Sequence, residues 1–321
     1  MELTAFDQVL VYGDTGPAGA ARESVRLAGA AERLGYHRFW VAEHHGATSG
    51  CGSPEILVTA AAAATSTIRV GTASVLLPHY APLKVATTFN LLERLHPGRI
   101  DLGIGRGPGA AETVTRLLAR EGEAPYHEKI EQLLAHLTAG TDLLPDSTPP
   151  QLWLTGAGAG GAHLAARHGL PFCLAQFAHG VLRPEIVELY RENFRPGPFG
   201  AIPRVSIAVR VACADDPGDV RLLRAGFALG ATSANRRTLP SWDELHALAP
   251  AAPLPDPAPG DMSLLAGVPA EVAEQLVALT AAYAPDELAI TTLCPDFDLR
   301  IRTFELVRAM APAVLVPTPF S

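Results

Sequence analysis

Short apolar runs alternate with amphipathic stretches along most of the chain. Residues 3–6, 37–42, 68–76, 99–104, 151–155, 171–175, 205–212 and 287–293 are short and apolar, several of them rich in β-branched or aromatic residues, and they read as strands. Helical stretches separate them at 19–34, 55–65, 82–95, 110–120, 126–137, 159–168, 183–194, 217–229, 269–283 and 297–310. In the first helix Val25, Ala28, Ala31 and Leu34 share one face, and Gly35 is its stop. Ser53-Pro54 reads as an N-cap followed by an N1 proline, and His96-Pro97-Gly98 as a turn. Strand–helix alternation implies parallel strands joined by right-handed crossovers. Eight such units favour a closed α/β barrel, the (β/α)8 TIM barrel, over an open doubly wound sheet. Its chemistry is then expected in the loops at the C-terminal face.

Composition narrows the class. A chain of 321 residues that is 48% hydrophobic can bury a large core, which excludes disorder as its main state. The 29 Gly and 28 Pro follow no fixed period, which excludes collagen and solenoids and sends the excess to turns and loops. One domain spanning 1–321 is expected, with residues of about 107–126 and 240–267 as loop or lid insertions. The net charge of -8 and the lack of any Lys/Arg run argue against nucleic acid as a partner. The most apolar stretch, 56–68, is too short to span a bilayer, and residues 1–7 lack a signal-peptide pattern. Cys51, Cys173, Cys213 and Cys294 have no metal or redox spacing and read as reduced thiols of a cytoplasmic protein.

Candidate chemistry gathers at the strand ends. After the second strand stands Glu43-His44-His45, which reads as an acid/base histidine tuned by a carboxylate, or as a buried Glu and His satisfying one another. Neighbours on extended chain point to opposite sides, so His44 and His45 are not expected to share a metal, and no metal site is expected. After the third strand, Ala73-Ser74 is small enough to let a flat ligand approach the backbone, or simply packs tightly. After the fourth, alternating glycines from Gly103 to Gly109 surround Arg106, whose donors suit a phosphate or carboxylate.

After the fifth strand, Gly156-Ala157-Gly158-Ala159-Gly160-Gly161 opens a helix and offers unobstructed amides to a phosphate. The same glycines satisfy a dinucleotide fingerprint, but the acidic residue it requires at the next strand end is absent; that stretch runs from Phe172 to Gln176. Asp7 at the end of the first strand, Tyr126 at a helix start and Gln176 join Glu43 and His45 as further pocket candidates.

Taken in order, HRFWVAEHHG, LLPHYAPLKVA, HPGRIDLGIGRG and QLWLTGAGAGGAHLAARHGLPF resemble the bacterial luciferase-like flavin monooxygenases over nearly the whole chain, with a weaker likeness from about 214 to 267. The resemblance implies a barrel that binds reduced FMN and consumes O2, with a separate flavin reductase, a small-molecule substrate of secondary metabolism and a homodimeric assembly. It places Ala73 and Ser74 under the flavin ring, joined by a cis peptide. It assigns Arg106 and the turn of Gly156, Ala157, Gly158, Ala159 and Gly160 to the phosphate, and His44 to proton handling. Relatives often carry Ser or Thr in that turn, where this chain has Ala157 and Ala159. Two other readings stay open: an F420-dependent hydride-transfer enzyme, and a flavin-independent relative that only binds. For the dimer, the helix 82–95 with Val85, Phe89 and Leu92 in register is a candidate interface, unless those residues face the barrel.

Overall fold

A computed structural model describes residues 1–107, 109, 111–118, 123–138, 149–231, 238–248 and 260–314. Nine strands are present among them: β1 (Glu2–Asp7), β2 (Arg38–Ala42), β3 (Arg69–Leu76), β4 (Ile100–Gly105), β5 (Gln151–Gly156), β6 (Phe172–Ala175), β7 (Val205–Cys213), β8 (Leu265–Gly267) and β9 (Glu287–Thr291). The sheet runs β1 to β7 in order, closes from β7 through β9 to β1, and is parallel throughout. The closed body is therefore an eight-stranded parallel α/β barrel. β8 lies outside it and pairs only with the C-terminal end of β7. The eight barrel strands match the expected ones to within two residues at either end. β8 and the helix Trp242–Leu248 were not expected, because three and seven residues are too few to establish a period.

The outer ring of helices buries small side chains against the barrel. The first helix (Gly16–Arg33) buries Leu27, Ala28 and Ala31. Ser53 does occupy the N-cap of Pro54–Ala63, but its hydroxyl makes no cap hydrogen bond. On the helix Pro82–Leu95, Val85, Phe89 and Leu92 are only 3%, 2% and 4% exposed. That face packs on the barrel, which removes it as an interface, while Leu91 and Leu95 of the same helix point outward at 58% and 59% exposure.

The barrel interior is stacked in layers. At the N-terminal ends of the strands, Thr4, Arg38, Asp101 and Glu287 are fully buried and mutually bonded. Arg38 donates to Asp101 at 2.7 Å, to Glu287 at 3.1 Å and to Gln151 at 3.2 Å. Asp101 also accepts from Trp40 at 2.9 Å and from Arg69 at 2.6 Å. Burial works against the Asp101 carboxylate, but the Arg38 and Arg69 guanidiniums outweigh it and hold Asp101 below its ordinary range. Above this layer Phe6, Trp40, Ala42, Ala73, Trp153, Cys173, Ala208 and Ala289 form an apolar cluster separate from the outer core. Trp40 and Trp153 meet edge to face with centroids 5.2 Å apart. Over that cluster the barrel opens. Among the described residues no helix is long and apolar enough to cross a membrane.

Candidate active site

A cavity of about 260 Å³ occupies the C-terminal mouth of the barrel. The apolar interior cluster forms part of its walls, through Phe6, Trp40, Ala73, Cys173, Ala208 and Ala289. Glu43, His44, Ser74, Arg106, Gly156 and Ala157, all singled out in the sequence, also line it.

The β3–β4 wall is almost bare backbone, for a steric reason. Against β4, β3 shifts register between Thr72 and Val75. That brings its backbone so close that a Cβ on Gly103 would lie 2.3 Å from the Thr72 carbonyl oxygen. A Cβ on Gly105 would lie 2.1 Å from Ser74 Oγ. These two glycines thus serve strand packing, whereas Gly107 faces open space. The Ala73–Ser74 peptide is trans, since no peptide bond among the described residues is cis. This corrects the cis bond expected there; the irregularity of β3 at this point is the register shift instead. Thr155 Oγ1 donates to the Ala73 carbonyl at 2.5 Å and is thereby occupied.

Arg106 follows β4 directly. It is exposed toward the cavity and forms no ion pair among the described residues. Across from it, β5 ends at Gly156, and the helix Ala159–Arg167 begins after Gly158 without any side-chain cap. A Cβ at Gly158 or Gly160 would meet nothing within 4 Å. The amides of a helix's first turn have no intrahelical acceptor. Here they open beside Gly156 and Ala157 of the cavity wall, with Gly158, Ala159 and Gly160 carrying the turn into the helix. His179, missed in the sequence, contacts the Ala157 carbonyl and braces the turn from behind.

The Glu43-His44-His45 triplet divides as alternation requires. His44 faces the cavity, and its Nδ1 is buried without a partner. Burial, followed by the charges of His45 and Arg210, lowers its pKa below the ordinary histidine value, so the ring is neutral at pH 7. His45 turns away and donates from Nε2 to Glu43 at 2.7 Å. The Glu43 carboxylate also accepts from the Leu76 amide at 2.8 Å and the Tyr80 hydroxyl at 2.9 Å. Glu43 is therefore a fully satisfied strut that fixes the end of β3, and His45 is its clamp; neither is a free acid/base in the cavity. No group of His, Cys, Asp or Glu among the described residues is arranged to hold a metal ion.

Three further expectations are corrected. Gln176 is fully buried behind the wall, donating to Val181 and accepting from Tyr283, so it does not face the cavity. Tyr126 packs against the outer core with a buried hydroxyl and does not line the cavity, although the charge of Arg106 reaches it. Asp7 sits behind Gln8, accepting from the Val9 amide at 2.9 Å. Of the expected lids, residues 249–259 of the stretch 240–267 lie outside the described residues, as does part of 107–126. The rest of the latter includes a short helix, Glu112–Leu118, that buries no side chain.

Sequence reading also missed Gln8, Trp40, Phe177 and Arg210, which line the cavity from β1, β2, β6 and β7. The available signal was alternation. Arg210 lies two residues beyond the inward Ala208 on a strand whose pattern had already been recognised.

Comparison with known proteins agrees with this geometry. Residues 1–285 match the family model described as luciferase-like monooxygenase. An N-acetyl-S-alkylcysteine monooxygenase of Bacillus subtilis is 32% identical over 91% of this chain and 92% of its own. The crystal structure of apo-MsnO8 superposes with a TM-score of 0.88 at 34% identity, covering 99% of both chains. At 20% identity the same fold recurs, with a TM-score of 0.75 over 99% of both chains, in the oxygenating constituent of 3,6-diketocamphane monooxygenase from Pseudomonas putida, solved with FMN.

Proposed function

The chain belongs to the luciferase-like monooxygenase family, and from that premise we propose that it oxygenates a small organic substrate of secondary metabolism, using O2 and reduced FMN supplied by a separate reductase. The observation that carries the reading is the pairing, on neighbouring strand ends of one cavity mouth, of Arg106, which has no ion pair among the described residues, with an uncapped helix start. An arginine fork and a set of free amides together suit a phosphate dianion. The apolar floor of Trp40 and Ala73, on β2 and β3 beside that anchor, suits a planar ring system.

Bound reduced flavin would supply the oxygen-activating chemistry. The protein's own residues bind, orient and shield. Arg106 and the amides of Gly158, Ala159 and Gly160 hold the phosphate. Ala73 and Ser74 offer a flat backbone to the ring. His44, neutral and unpartnered at Nδ1, accepts or returns a proton at that atom. Because the turn has no hydroxyl, and that of Thr155 is committed to Ala73, the cradle rests on amides and one arginine. A cradle with so few donors fits a flavin that is taken up and released at each turnover. We place the protein in the cytoplasm, and the outward Leu91 and Leu95 of helix Pro82–Leu95 suit a homodimer contact, testable by light scattering.

Absorbance titration with FMN, reduced FMN, riboflavin and F420 tests this reading. FMN is expected to bind better than riboflavin, with the reduced form bound tightest. Tighter binding of F420 would make the protein a hydride-transfer enzyme, and binding of none would leave it a flavin-independent binder.

A further inference from the structure

Arg210 lines the cavity, and the flavin cradle does not use its charge. β7 carries Ala208 and Arg210 into the cavity, and β9 carries Ala289 into it from alongside. Arg210 is in register with Thr291 of β9, two residues beyond the Ala208–Ala289 pair. By the two-residue repeat of a strand, Arg210 and Thr291 therefore stand side by side on the same inner face.

Both are unsatisfied. Arg210 Nε is buried with no acceptor, and Thr291 Oγ1 is buried with no partner. The guanidinium lies over the Phe177 ring at 4.5 Å and near that of Phe227 at 5.5 Å. Its hydrogen bond is a long one of 3.4 Å to the Phe177 carbonyl. No carboxylate pairs with it among the described residues, whereas the other interior arginines, Arg38 and Arg300, each have one. Arg210 is half-buried, and a partly desolvated cation without a counter-charge is costly, so natural sites keep one where a ligand supplies the charge. Burial already pushes the Arg210 pKa down from its ordinary value.

The charge also sits on the wrong side for the phosphate. Arg106 and the open helix start belong to β4 and β5, while Arg210 is on β7, beyond β6 and toward β9. A planar cofactor anchored at β4–β5 leaves the β7–β9 wall to the substrate. His44 shares this part of the cavity, close enough for Arg210 to lower its pKa, and being neutral it adds no competing charge.

We infer that the substrate is a small carboxylic acid whose carboxylate is received by Arg210 and Thr291. The planar fork matches a carboxylate edge to edge, the Thr291 hydroxyl adds a third donor, and Phe177 and Phe227 hold the guanidinium plane in place. The assignment of this acid as substrate rests on the monooxygenase reading above; the anion site itself stands on Arg210 and Thr291 alone.

The test is calorimetric titration of the purified full chain with octanoate, benzoate and N-benzoylglycine, each beside its methyl ester. Wild type, Arg210→Lys and Arg210→Gln are compared, and FMN is titrated into all three. At least one acid is expected to bind the wild type roughly ten- to a hundredfold tighter than its ester, the worth of a charged hydrogen bond. Arg210→Lys keeps part of that preference, Arg210→Gln abolishes it, and FMN affinity is unchanged in both. The inference is overturned if the wild type prefers no acid, or if Arg210→Gln keeps the preference. It is also overturned if Arg210→Gln loses FMN affinity, which would make Arg210 a cofactor residue. Acid preference in a wild type that binds no FMN would refute the flavin reading and leave the anion site standing.

Discussion

The two ends of this barrel treat buried charge in opposite ways. At the N-terminal end Arg38 is enclosed by Asp101, Glu287 and Gln151, and Arg69 closes on Asp101 from outside. At the C-terminal end Arg210 has no carboxylate, His44 Nδ1 has no acceptor, and Arg106 stands without an ion pair among the described residues. Only a few ångströms of apolar layer separate the two regimes, since Trp40 both donates to Asp101 and lines the cavity. Ser206 Oγ and Trp153 Nε1, buried near Arg38 without partners, are exceptions to the pairing. Saturated charges fix a structure because every donor has its acceptor; unsaturated ones lower stability and wait for a ligand. The contrast locates function without reference to any motif.

The contrast breaks most visibly if the two interior arginines are removed in turn. Arg38→Met takes the central cation from between Asp101 and Glu287, leaving Arg69 and Trp40 on one and Thr4 and Arg204 on the other, and is expected to cost about 3–5 kcal/mol of unfolding free energy, read by urea denaturation. Arg210→Met strands nothing and should be near neutral or stabilising. Equal losses would show that the two ends do not differ. Next in size is the glycine pair of the bare wall. Gly105→Ala drives a Cβ into Ser74 and is expected to cost about 1–3 kcal/mol and distort the cavity. Gly107→Ala, facing open space, should leave stability within about 0.5 kcal/mol.

Comparable in size, but read in binding and not in stability, is Arg106→Ala. It should weaken FMN by about 1.5–3 kcal/mol, leave riboflavin unchanged and spare the urea midpoint. An unchanged FMN affinity would remove Arg106 from the phosphate site. The finest test is the acid limb of the rate profile. His44 acts as a neutral ring with a lowered pKa, so activity should persist as pH falls below about 6.5 and fail only below the depressed value. Removing the Arg210 charge should move that limb to higher pH. Because folding lowers this pKa, protonation also favours the unfolded chain, and stability should decline as pH falls from about 6.5 toward the depressed value, before activity is lost.

Much of this was legible in the sequence, for reasons that differ by residue. The eight barrel strands were readable because fully buried parallel strands are short continuous apolar runs. Arg106 and the start of the Gly156–Gly160 turn could be placed at the cavity mouth because they follow β4 and β5, whose C-terminal ends form it. Alternation argued only that His44 and His45 would not share a metal; His45 stayed a pocket candidate, and the structure instead turns it onto Glu43. Gln176 misled because a polar residue at a strand end can face the wall as easily as the mouth; here its amide is spent on Val181 and Tyr283. Arg210 was invisible for the opposite reason. A lone arginine within an apolar run reads as a strand edge, and only closure of the barrel through β7–β9 and β9–β1 turns it inward.

The bare wall of β3 and β4 has a last consequence, for how such a protein diversifies. Gly103 and Gly105 admit no larger residue, so that side of the mouth cannot vary without unseating the strands. The wall of β7 and β9 carries real side chains in ordinary strand positions and can be rewritten one residue at a time. A lineage built on this barrel can thus change one wall of its cavity while inheriting the other intact. Substitutions at the Arg210 and Thr291 positions are where its descendants should differ first.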